Sequence, residues 1–260
     1  MSVVSNKREK ELARAKYERQ KQKRQMRKKR NLVLKLVSGL IVLSILIGYA
    51  ISLGSNNPEP IAQPSASVGA APVVDGCEAA SPTRADNVSY PSVPTDLKPA
   101  KQISLTTNCG DFVIETDVNA PNTVGILTFL AKNKFYDGVN CHRLTTEGIF
   151  VLQCGDPSGN GSGGPGFNFA DENLPIADAT GSFIYPRGTL AMANSGPNTN
   201  GSQFFIVYQD SPLPPNYSIW GQLSSGLEIL DAIAAAGTVT GQSDGPPAQA
   251  VVISQAITTP

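Results

Sequence analysis

Beyond its carboxylates and 21 Lys/Arg, the chain's main chemical resources are one histidine and four cysteines. His142 and Arg143 are neighbours in Cys141-His142-Arg143-Leu144, and Cys154 closes the following run Ile149-Phe150-Val151-Leu152-Gln153. If the first segment is a strand, its side chains alternate: His142 and Leu144 share one face, Cys141 and Arg143 the other. His142 is the only histidine. A Ser-His-Asp hydrolase would have to use it, yet it would turn away from any groove that Arg143 faces. The same alternation argues against Cys141, His142 and Cys154 as a zinc set. Gly159–Phe167, a glycine-rich loop, is only superficially a phosphate cradle, because no Lys-Ser/Thr pair follows and no helix starts there. The sequence therefore calls for no metal and no cofactor. Arg143, taken alone, is an arginine in a short strand, and such a residue is usually a solvated edge charge.

Four cysteines allow three pairings. Cys141 and Cys154 fall on two strands expected to form a hairpin, so a cross-strand bridge is geometrically possible. Cys77 and Cys109 would then be left to pair. Free buried thiols are the alternative, and disulfides would require an oxidising compartment.

Charge is distributed unevenly along the chain. Residues 1–31 form a basic tail, with 13 Lys/Arg against three Glu before residue 31. Read alone, that run would suit nucleic acid, but an apolar stretch follows it over 32–53. From Leu36 to Leu53 there are 18 residues without a charge, enough at about 1.5 Å per residue to cover most of a ~30 Å hydrocarbon core. Basic residues before the span and few after it place the N-terminus in the cytoplasm and the remainder outside. The expectation is an uncleaved, single-pass anchor in the cell membrane. Its basic tail would face anionic lipid, with no nucleic-acid partner. A cleaved signal peptide fits less well, since the basic region is long and no small-x-small site closes the apolar run. Residues 54–99, rich in Pro, Ala and Ser, read as an extended linker.

Residues 100–260 read as globular. Strands are expected over Gln102–Thr106, Asp111–Thr116, Gly138–Leu144, Phe150–Cys154, Thr189–Ala193, Gln203–Val207, Ser218–Gln222 and Val251–Thr258. Helices are expected over Pro121–Lys132, capped by Asn119, and over Leu227–Ala235. Many strands and two helices suggest an antiparallel barrel with helices over its open ends.

Four segments then resemble one family in order and spacing: FYDGVNCHRL, FVLQCGDP, GGPGFNFADENL and GTLAMANSGPNTNGSQFFIVY. They look like the successive signatures of cyclophilins. The resemblance covers about residues 100–258. It implies a mainly β fold, an eight-stranded antiparallel barrel capped by two helices, and peptidyl-prolyl cis-trans isomerase activity without a cofactor. It implies that Arg143 is the catalytic arginine. Phe150, Val151, Phe205 and Leu213 fall where the family places its proline pocket, and Gln153, Ala193, Asn194 and Gln203 where it contacts substrate backbone. Tyr217 stands where a histidine is common, Val151 where a methionine is common, and two extra residues precede Phe150. The implied partners are proline-containing polypeptides, met by a monomeric catalytic domain. A peptide-binding module with incidental catalysis is the rival reading.

Overall fold

The computed structural model describes residues 74–81, 83–84 and 88–260. The basic tail (1–31), the expected span (32–53) and residues 54–73 of the expected linker lie outside the described residues. Among the described residues, no helix is long and apolar enough to cross a membrane.

The sequence writes its first hairpin clearly. β1 (Gln102–Thr107) and β2 (Gly110–Thr116) pair antiparallel from Gln102↔Glu115 to Thr107↔Gly110. Ile103 and Leu105 on β1, and Phe112 and Ile114 on β2, alternate into the core. Helix α1 (Pro121–Lys132) follows, with Pro121 in its first turn, where a missing N–H does no harm. Asn119 does not cap it. The N-cap is Ala120, and the Asn119 amide donates instead to Asp117. The carboxylate of Glu172, 49 and 50 residues away in sequence, accepts from the backbone N–H groups of Thr123 and Asn122 at 2.8 and 3.2 Å. A local sequence pattern cannot reveal a cap supplied from so far along the chain.

The remaining strands are β3 (Val139–Asn140), β4 (Arg143–Glu147), β5 (Ile149–Cys154), β6 (Phe183–Tyr185), β7 (Thr189–Met192), β8 (Phe204–Val207), β9 (Ser211–Leu213), β10 (Ile219–Ser225), β11 (Asp244–Gly245) and β12 (Val252–Thr259). Helix α2 (Leu227–Ala236) precedes β11 and buries Leu230 and Ile233. Ten strands form one curled antiparallel sheet in the order β11-β4-β5-β8-β7-β10-β2-β1-β12-β3, and β6 pairs with β9 in a separate ribbon.

This corrects the strand count of the expected eight-stranded barrel. Eight strands of the large sheet are four residues or longer, but two-residue strands form its edges. Gly138, with φ of 77°, turns the chain just before β3, while Pro246 and Pro247, lacking N–H groups, stop β11. The expected strand Gly138–Leu144 is broken at Cys141-His142, where the chain changes partner: the Cys141 N–H donates to Val251 O beside β12 and the His142 N–H to Gln153 O on β5. Alternation is broken with it: Cys141 lies in the main core with Leu144 and Leu152 rather than on the face of Arg143.

Both bridges are formed, Cys141–Cys154 and Cys77–Cys109. The core between sheet and helices includes Phe112, Leu130, Leu152, Phe204 and Trp220. Trp220 is 1% exposed and meets Phe204 edge-on at 5.6 Å.

The described part of the expected linker does not stand away from the domain. Val74, Val88, Tyr90, Val93 and Leu97 pack against the core, and the Tyr90 ring meets Phe129 edge-on at 5.1 Å. Average composition concealed this: a few apolar side chains, spaced by prolines and pinned by Cys77, are enough to hold a strap to a preformed surface.

Candidate functional site

Strands β5, β8 and β7 lie side by side, and each buries both of its faces. Leu152 and Cys154, Phe204 and Ile206, and Leu190 and Met192 face the main core. Val151, Phe205, Val207 and Ala191 belong to a second, smaller apolar cluster on the opposite side, with Tyr185 and Leu213. Period-two alternation thus supplies two cores from one set of strands. The ribbon β6–β9 covers the second cluster, bringing Leu213 opposite Phe183 and Tyr185 opposite Ser211.

A groove of about 150 Å³ opens over this cluster. Its apolar wall is Ile149, Val151, Phe205, Leu213 and the ring of Tyr217, and its polar wall is Arg143, Gln153, Ala193 and Asn194. Tyr217 stands edge-on to Phe205 at 5.4 Å. Eight of the ten residues expected from sequence meet here: Arg143, Val151, Gln153, Ala193, Asn194, Phe205, Leu213 and Tyr217.

Two expected residues lie elsewhere. Phe150 packs on the main core, edge-on to Tyr208 at 5.8 Å. Adjacent strand residues face opposite sides, so Phe150 and Val151 cannot share one wall. Ile149, two residues before Val151, takes that place, and the same alternation applied to the sequence would have found it. Gln203 lies just beyond the groove. Its Oε1 accepts from Gln153 at 2.9 Å, while its amide donates to the carbonyls of Gly161 and Gly163 at 3.0 and 2.8 Å.

Gln203 thereby borders a second, larger and more polar cavity of about 810 Å³, lined by the loop Gly161–Asn168 and by Asn194, Ser195 and Thr199. The two cavities share Gln153, Ala193 and Asn194. Asp156 holds the loop in shape. One carboxylate oxygen accepts from the backbone and hydroxyl of Ser158, both at 2.7 Å, and the other from the N–H groups of Asn160 and Gly161. Gly155 must be glycine: its φ is 89°, and a Cβ there would come within 2.3 Å of the Ser202 carbonyl oxygen.

Burial works to raise the Asp156 pKa, but hydrogen bonds from Ser158, Gly163 and Gly161 outweigh it and hold the carboxyl below its usual range. A depressed native pKa stabilises the loop above the unfolded-chain value, about pH 4, and that stability is lost as pH falls through the lower native value. Amide NMR signals of Ser158, Asn160 and Gly161 will therefore shift together on acidification. In Asp156→Asn that step will be absent.

Arg143 is held in an arrangement the sequence did not suggest. Its Nε donates to Asp244 Oδ1 at 2.8 Å, Nη2 to Asp244 Oδ2 at 2.7 Å, and Nη1 to Gln153 Oε1 at 3.3 Å. The hydrogen bonds to Asp244 raise the arginine's pKa and lower that of Asp244, so both stay charged. His142 does not line the groove. Burial, with Arg143 adding to it and Asp156 opposing, holds the imidazole below its ordinary value.

Behind the groove, the buried hydroxyl of Tyr185 accepts from the Tyr217 backbone N–H at 3.2 Å, with the carbonyls of Tyr217 and Pro214 at 3.1 and 3.4 Å. Burial pushes its pKa up to about 12, against a hydrogen bond from the Tyr217 backbone. Tyr185 fixes the loop that carries Tyr217. No sequence signal singled it out, because it acts across 32 positions.

Residues 102–258 match the family model described as cyclophilin type peptidyl-prolyl cis-trans isomerase/CLD. The chain is a cyclophilin. It is 45% identical over 222 residues to "Probable peptidyl-prolyl cis-trans isomerase B" of Mycobacterium tuberculosis, covering 77% of this chain and 68% of that protein. To the protein of the same name from Mycobacterium leprae it is 46% identical over 189 residues, covering 66% and 63%. Among solved structures, a Cryptosporidium parvum cyclophilin type peptidyl-prolyl cis-trans isomerase superposes with a TM-score of 0.52 at 30% identity, over 62% of this chain and 98% of that one. The same protein solved in the presence of the dipeptide Ala-Pro gives a TM-score of 0.51. As a cyclophilin, the chain is a peptidyl-prolyl cis-trans isomerase acting on proline-containing polypeptides.

Proposed function

We propose that this cyclophilin isomerises X–Pro bonds in exported or cell-surface polypeptides, from a single-pass anchor at 32–53, with Arg143 as the catalytic donor. The observation that carries the reading is a charged, immobilised guanidinium on the rim of an apolar pocket bounded by Val151, Phe205 and Leu213.

Rotation about X–Pro faces a barrier of about 18–20 kcal/mol, because the nitrogen lone pair is conjugated with the carbonyl. In the twisted state that conjugation is broken and the prolyl nitrogen becomes a better acceptor. Arg143 donates to it there more strongly than in either planar state, and this difference lowers the barrier. The ring rests on Phe205, Leu213 and Val151, while Gln153, Asn194 and the Ala193 backbone hold the flanking amides. Tyr217 closes the apolar side with its ring face.

Export is supported by the charge asymmetry around 32–53 and by the pairing of all four cysteines, which suits an oxidising compartment. The test is protease accessibility of the full chain in intact spheroplasts. Digestion of the isomerase domain from outside, with the tail protected, is expected. A domain protected until the membrane is opened, or a chain recovered in the soluble fraction, would contradict the localisation.

A further inference from the structure

We propose that Asp244 is a positioning residue for Arg143, holding the guanidinium so that its Nη1 edge is presented toward Gln153 and the groove. The inference rests on the reading of Arg143 as the catalytic donor.

A guanidinium offers five N–H donors in one rigid plane, but it ends a side chain with four rotatable bonds. Left alone on a rim it would sample many orientations. Asp244 removes that freedom by taking Nε and Nη2 in a two-point contact, at 2.8 and 2.7 Å. Three N–H bonds are left, one on Nη2 and two on Nη1, and Nη1 donates to Gln153 Oε1 at 3.3 Å. Gln153 is in turn fixed by Gln203, which is fixed by the carbonyls of Gly161 and Gly163. A line of polar contacts thus runs from Asp244 through the donor to the loop beside the groove.

Asp244 does not itself border the groove. It reaches Arg143 because β11 pairs with β4, Asp244 opposite Thr145 and Gly245 opposite Leu144. Other bonds brace the segment carrying it: Thr146 N–H to Ser243 O at 2.8 Å, Val239 N–H to Pro246 O at 2.9 Å, and Thr238 Oγ1 to Gln242 O at 2.6 Å. The backbone therefore does not depend on the carboxylate. The pair is solvent-accessible, with side chains 40% and 54% exposed, so it adds little to stability. Its geometry matters in another way: a donor fixed before the bond twists needs no reorganisation when it does.

The experiment compares full-length wild type, Asp244→Asn, Asp244→Glu, Arg143→Ala and the Arg143→Ala/Asp244→Asn double variant. Turnover of an Ala-Pro peptide is followed by NMR exchange, alongside peptide Kd and Tm. Asp244→Asn is expected to lose about tenfold in kcat, with Kd and Tm unchanged and the Arg143 Nε–H signal broadened or shifted. Asp244→Glu, which keeps the carboxylate, recovers part of the loss, and the double variant is no worse than Arg143→Ala. Wild-type kcat in Asp244→Asn beside a crippled Arg143→Ala would overturn the role of Asp244 alone. Full activity in Arg143→Ala would overturn both readings. A loss in Asp244→Asn matched by lost binding or a lower Tm would assign Asp244 to the fold instead.

Discussion

Arg143→Ala will lower kcat/KM toward an X–Pro peptide by about 10²–10³-fold, the usual consequence of deleting one preorganised donor at a developing acceptor. Peptide affinity will change little, because the apolar wall of Val151, Phe205 and Leu213 remains and the arginine's bond to the prolyl nitrogen forms only in the twisted state. The side chain is on the rim, 40% exposed, and its removal opens no core cavity. Removing it does leave Asp244 without its partner, but that carboxylate is 54% exposed and is rehydrated. Exchange spectroscopy for turnover and a peptide titration for Kd check both halves. Equal losses in turnover and affinity would show that Arg143 only binds, and would favour the rival reading of a peptide-binding module.

Removing the Cys141–Cys154 bridge by replacing both residues with alanine will destabilise the domain by about 2–4 kcal/mol. The two residues are 3% and 1% exposed and lie in the main core. The bond spans 13 positions and holds Cys141 against β5 where the chain passes from β12 to β5. Arg143 begins two residues later and Gln153 is adjacent to Cys154, so the bridge also sets the spacing of the polar wall.

Loop entropy alone would rank Cys77–Cys109, spanning 32 positions, higher by about 0.8 kcal/mol. That bridge, however, ties down a strap at the edge of the core. Its loss will free the strap more than it unfolds the sheet. Urea denaturation of the two double variants distinguishes these effects. A larger global loss for the Cys77–Cys109 pair would contradict this view of the strap.

The first hairpin and both helices were legible because β1 and β2 alternate and each helix carries an apolar face, whereas the short strands β6, β9 and β11 carry no such pattern. The positions of Ile103, Leu105, Phe112 and Ile114 in the core follow from counting. The groove was legible through family resemblance, which brought eight of ten named residues together. The resemblance set Phe150 beside Val151, whereas in the structure Phe150 packs on the main core, across β5 from Val151.

What sequence did not reveal is held by partners far apart along the chain. Glu172 caps α1 from 49 and 50 positions away, Asp244 grips Arg143 from 101, and Tyr185 fixes the Tyr217 loop from 32. These are ordinary polar residues in unremarkable local contexts, and only the sheet order brings them to their partners. The strap at Val88–Leu97 was missed for a related reason. Its apolar residues are too sparse to form a core, yet sufficient to dock on one.

The most direct test of the account is NMR of the full chain with an Ala-Pro peptide, following cis/trans exchange and amide shifts in one titration. Exchange will accelerate in proportion to the protein, with shifts centred on Arg143, Gln153, Ala193, Asn194, Phe205, Leu213 and Tyr217. No acceleration by the folded chain, or acceleration with shifts confined to another face, would contradict it.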